Sequence, residues 1–130
     1  MTRFSQISGV TIGAALVLFP HTTHADFVVK GMGMQSCASW TDARSKAQLG
    51  SDTLLRLSWV LGFVSAENQR LSVSTPKKVK SFDLTKGLDL PAIAAWLDKF
   101  CAEQPSKPIV AATQALVLEQ AKEQGALEGR

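Results

Sequence analysis

Cys37 and Cys101 are the two cysteines of this 130-residue chain, and a bond between them would constrain its fold more than any other feature. Two cysteines allow one connectivity. The closed loop holds about 65 residues, so loop-closure entropy gives roughly 4 kcal/mol of stabilisation. That is a large share of the roughly 5–15 kcal/mol expected for a whole domain. A redox-active pair would need C-x-x-C spacing or a nearby histidine to lower a thiol pKa, and neither is present. The pair is read as a structural disulfide, which requires an oxidising compartment.

The N-terminus supplies the reason to expect one. Residues 1–9 are polar and carry Arg3, residues 10–19 are apolar and uncharged, and Pro20 comes next. Thr23-His24-Ala25 places small residues at −3 and −1 of a cut before Asp26. This is the layout of a cleavable signal peptide over 1–25, and the apolar run is far short of the roughly 20 residues that span a bilayer. The expected location is the periplasm, with no stable membrane insertion after cleavage. The mature chain then divides into a 26–36 arm, a 37–123 domain and a frayed 124–130 tail.

Removing that peptide changes the chemistry available. The chain carries 14 Lys+Arg and 11 Asp+Glu, so losing Arg3 leaves 13 − 11, or +2. No charge run suggests nucleic-acid binding. Both histidines, His21 and His24, precede the cut, and the chain has no tyrosine. Histidine is the usual general base near neutral pH and the commonest transition-metal ligand, so Ser–His–Asp and Cys–His catalysis are not expected. No catalytic residue, metal or cofactor is assigned.

Periodicity reads as helix throughout. Residues 37–48 form a first helix capped by Ser39 or Thr41, with Trp40, Ala43 and Ala47 on one face and Gly50 as its stop. Residues 52–71, capped by Ser51 or Asp52, repeat Leu54, Leu57, Leu61 and Val64, with Leu55, Trp59, Val60 and Phe63 beside them. A helix apolar around most of its girth should be central and most buried. Residues 72–88 read as a mobile connection that Val79 and Phe82 pin. Residues 89–103 form a helix with Asp89 as N-cap, Pro91 in the first turn and a stripe of Ile93, Trp96, Leu97, Phe100 and Cys101. Residues 106–123 form the last, with Ser106 as N-cap. The arm, with Gly31 and Gly33 between methionines, reads as extended or as a strand before a turn. The expected fold is all-α: a small disulfide-stapled bundle of about four helices, with the bridge tying first to third across the central one.

Candidate partner-binding residues are Trp40, Trp59, Gly62, Glu67, Asn68 and Trp96. The three tryptophans lie on apolar faces and are read first as core, otherwise as an aromatic patch of the kind enriched at interfaces. Gly62, mid-helix, is read first as a close-packing point and otherwise as a contact surface. Glu67 and Asn68 come just after the apolar run. A carboxylate-only enzyme would need Asp98 or Glu103 to converge with Glu67. Lys77, Lys78 and Lys80 read as a solvated loop that can also steer an acidic partner.

Cys37-Ala-Ser-Trp40, Trp59-Val-Leu-Gly-Phe-Val-Ser-Ala-Glu-Asn68 and Trp96-Leu-Asp-Lys-Phe-Cys101-Ala-Glu-Gln-Pro105, followed by an amphipathic helix, resemble small periplasmic helical proteins of the HdeA-like kind. The chain is also similar to Tai-type immunity proteins and to small exported proteins of conjugation clusters. The resemblance implies a non-enzymatic periplasmic module that binds another protein, as an immunity or accessory binder. The alternatives are an acid-stress chaperone and, from another class, the carboxylate-only enzyme. A homodimer is among the partners the sequence allows.

Overall fold

The computed structural model describes residues 28–74 and 82–125. The expected signal peptide, Val79, the Lys77, Lys78 and Lys80 cluster and residues 126–130 lie outside them. Among the described residues four helices succeed one another: α1 (Cys37–Lys46), α2 (Ser51–Ser74), α3 (Leu90–Glu103) and α4 (Ile109–Glu123). Residues 31–34 form a short 3₁₀ turn rather than a strand. Among the described residues no helix is long and apolar enough to cross a membrane.

α1 packs on α3 and α2, α4 on α2 and α3, and the 3₁₀ turn on α2 and α4. Trp40, Leu57, Leu71, Leu84, Ile93, Leu97, Ile109 and Leu116 fill the centre, each no more than 1–2% exposed. The Cys37–Cys101 disulfide is formed, with sulfurs 2.07 Å and Cα atoms 4.7 Å apart. It joins α1 to α3 where those two helices touch directly, not across α2.

α2 departs most from expectation. Its buried stripe is narrow: Thr53, Leu57, Val60, Val64 and Leu71. Leu54 and Leu55 are 41% and 52% exposed, and Leu61 is only half-buried. α4 is the more enveloped helix, burying Ile109, Val110, Ala112, Thr113, Leu116, Gln120 and Ala121 in a shorter span. A single small bundle has too little chain to cover a helix that is apolar on nearly every side.

The helix ends explain the shifted boundaries. Asp89 caps α3 as expected, its Oδ1 accepting from Ala92 N–H at 2.8 Å. Ser36, not Ser39 or Thr41, caps α1 by accepting from Ser39 N–H. The Ser39 and Thr41 hydroxyls instead donate back to the carbonyls of Ser36 and Cys37. α1 ends at Lys46, where Ala47 turns extended, so Ala47 leaves the helix and is exposed.

α1 and α4 begin by capping each other. The N–H groups of Cys37 and Ala38 donate to the carbonyls of Lys107 and Pro105 at 2.8 and 2.9 Å, and Ile109 N–H donates to Gln35 at 2.8 Å. Pro108 occupies the cap position of α4 and supplies no side-chain cap, so Ser106 plays no such part. The donors orphaned at two helix starts are satisfied reciprocally through a one-residue antiparallel bridge, Ser36 to Pro108.

Residues 82–84, where the described chain resumes before α3, are held to the body. Phe82 and Leu84 are buried, and Leu84 N–H donates to Asn68 Oδ1 at 2.9 Å.

Candidate functional site

The six candidate residues fall into separate places. Trp40 is fully buried beside the disulfide and belongs to the core, not to a partner surface. Its indole Nε1 donates to Asp98 Oδ1 at 2.8 Å. Arg44, one turn further along α1, donates to the same carboxylate from Nε at 2.9 and 3.1 Å and from Nη2 at 2.6 Å. Its guanidinium lies 5.8 Å from the Trp40 ring centroid, within cation–π range. Burial works against the Asp98 charge, but the hydrogen bonds from Arg44 and Trp40 outweigh it and hold the carboxyl below its ordinary value. Asp98 is therefore a bracket between α1 and α3. Arg44 is legible in the sequence only as the residue four after Trp40, hence on its face.

Asn68 is likewise occupied in holding Leu84. Gly62 is exposed, and a Cβ placed there would meet nothing within 4 Å among the described residues. It is not a close-packing point. Trp96 is half-buried, stacked on Phe100 at 5.8 Å, with Nε1 donating to Glu119 Oε1 at 3.1 Å.

Trp59 has a more unusual setting. Its Nε1 donates to the Lys30 carbonyl at 3.0 Å, and its ring lies 5.6 Å from Phe63. The 28–34 arm crosses the indole. A Cβ built on Gly33 would overlap the ring atoms Cζ2 and Cη2, and Gly31, at φ +77, would place one 3.5 Å from Cδ1. Gly33 stands where the backbone itself lies against the ring, and Gly31 where the chain takes a positive φ that favours glycine.

Glu67 sits at the rim of a groove between α2 and α4. Phe63, Leu71, Val117, Leu118 and Ala121 make its apolar walls, and its volume is about 340 Å³. Arg70 pairs with Glu67 at 2.7 Å on the same edge. Leu118 stays 49% exposed there. The sequence signal for this wall is Val117-Leu118, two apolar residues beside the Leu116 stripe.

The three carboxylates considered for an acid–base set line different depressions. Glu67 lies on the α2–α4 groove, Asp98 beside Arg44, and Glu103 with Glu119 near Trp96. No family model matches the chain, nor does any curated protein or solved structure.

Proposed function

We propose that this chain is an exported, non-enzymatic module that binds another protein through the α2–α4 groove. The carrying observation is the groove itself: an open apolar trough between two helices with a Glu67–Arg70 ion pair along one edge. Such a trough suits one apolar face of a partner's amphipathic helix. The fixed pair of opposite charges at the rim sets the direction in which a charged partner segment lies. The separation of Glu67 from Asp98 and Glu103 supports binding over carboxylate catalysis, because two-carboxyl chemistry needs both groups at one bond.

The test is site-specific. A photo-crosslinking residue at position 118 should capture one defined partner from the exported fraction, while one at exposed Ala38 should not. With that partner purified, Leu118→Asp should weaken binding by about 30-fold, the loss typical of an interface hot spot. Equal capture from both positions would overturn the groove assignment. Capture of several unrelated clients, strengthening in acid, would favour the chaperone alternative.

A further inference from the structure

We infer that residues 28–34 are a displaceable cover, filling in cis a slot over Trp59 that takes in trans an extended partner segment with glycine against the indole and a carbonyl facing Nε1. The inference rests on the protein-binding reading. Three observations carry it.

First, the fit over the ring is specific and is made by backbone. The arm meets the indole through glycine backbone, where a methyl group at position 33 would collide with the ring. Of its larger side chains, Val28 is 83% exposed and Met34 56% exposed, while Val29 and Met32 are half-buried. Among the described residues its polar link to the ring is the hydrogen bond from Trp59 Nε1 to the Lys30 carbonyl.

Second, the arm ends at a firm pivot. Gln35 accepts from Ile109 N–H at 2.8 Å, and its Oε1 accepts from Arg56 Nη2 at 3.1 Å. Ser36 caps α1 and Cys37 is in the disulfide. Lifting residues 28–34 breaks the 3.1 Å bond from Gln35 N–H to the Met32 carbonyl and leaves these anchors in place.

Third, the covered ring continues the groove. Trp59 lies 5.6 Å from Phe63, and Phe63 is a wall of the α2–α4 trough. Removing the arm lengthens one apolar surface rather than opening an isolated patch. Aromatic anchors of this kind dominate binding energy at interfaces.

The experiment needs no identified partner. The probe is a labelled synthetic peptide copying residues 28–36, Val-Val-Lys-Gly-Met-Gly-Met-Gln-Ser. In full-length Gly33→Ala the tethered arm no longer fits, so acrylamide should quench tryptophan emission more strongly than in the parent. The peptide should then bind the variant about tenfold more tightly than the parent, since the closed arm reduces apparent affinity by the fraction of open slots. A peptide with alanine in place of Gly33 should not bind. Unchanged quenching, or a released slot that ignores the peptide, would overturn the inference.

Exchange of the Trp59 indole proton in the parent protein keeps the inference testable if Gly33→Ala fails to fold. A displaceable arm gives exchange independent of dilute denaturant. Exchange that tracks global unfolding would refute displacement. The outcomes also separate the two readings. A slot that takes the peptide while position 118 captures nothing leaves the slot and removes the groove. The reverse removes the slot alone.

Discussion

The junction where α1 and α4 begin and the outer side of α2 are built on opposite plans. At the junction, a buried disulfide, reciprocal backbone capping and the Asp98 bracket all join the same few residues. Along α2, Leu54, Leu55 and Gly62 face outward, and Trp59 is covered by an arm that contributes mainly backbone. One region has redundant restraints. The other keeps apolar surface that the bundle does not use. The difference teaches that the restraints of this chain are concentrated at one end; under the proposed reading, recognition falls to the α2 side.

Breaking the junction should give the largest effect. Cys37→Ser or Cys101→Ser should lower stability by about 2–5 kcal/mol, the range for native bridges of small secreted domains. Denaturant midpoints under non-reducing conditions measure it. Both cysteines are buried, so the serine hydroxyls add a desolvation cost to the lost constraint. A loss below about 1 kcal/mol would mean that capping and the Asp98 bracket hold α1 unaided, since a typical net hydrogen bond contributes about that much.

The Asp98 bracket comes next. Asp98→Ala leaves the buried Trp40 indole N–H without its acceptor and Arg44 without its ion pair. The expected loss is about 1–2 kcal/mol, reduced from the usual charged-hydrogen-bond figure because the Asp98 side chain is 39% exposed. The direction of the shift sets the pH dependence. The folded carboxyl titrates below its ordinary value of 3.8. Its contribution is therefore complete above that value and is lost as pH falls through the lower, folded one. Melting temperature tracked below about pH 4 should fall more steeply for the parent than for Asp98→Asn. Parallel curves would show that another group carries the acid sensitivity.

The boundary between these two regions is also the boundary of what the sequence makes readable. The all-α class, the α3 cap at Asp89 and the disulfide come from local spacing and cysteine arithmetic. The reciprocal bonds that join the starts of α1 and α4 do not, because the N–H groups of Cys37, Ala38 and Ile109 find backbone carbonyls some seventy residues away in the chain, and any residue can supply a carbonyl. The apolar girth of α2 says which residues avoid water but not how much chain is left to cover them. Of the site, Trp59 and Glu67 stand out by residue type. Yet Trp59 gains its meaning from Gly33, and Glu67 from Leu118 across the groove. Both pairings exist only once α2 has met the arm and α4.

The finest contrast is between two glycines on the α2 side. Gly33 is required because the indole occupies the place of a side chain, whereas Gly62 lies on an exposed helix face with open space around it. Glycine within a helix costs about 1 kcal/mol relative to alanine, through backbone entropy and solvated peptide groups. Gly62→Ala should therefore stabilise the isolated chain by up to about 1 kcal/mol, read from denaturant midpoints, with no change in the arm or the groove. A destabilised Gly62→Ala chain would mean that something does pack there, restoring the close-packing role that the sequence alone suggests. If instead the isolated chain is stabilised while capture from position 118 weakens, the open space above Gly62 is where the partner's backbone approaches. The partner-binding surface would then extend from the groove onto the exposed side of α2, far from the stapled junction.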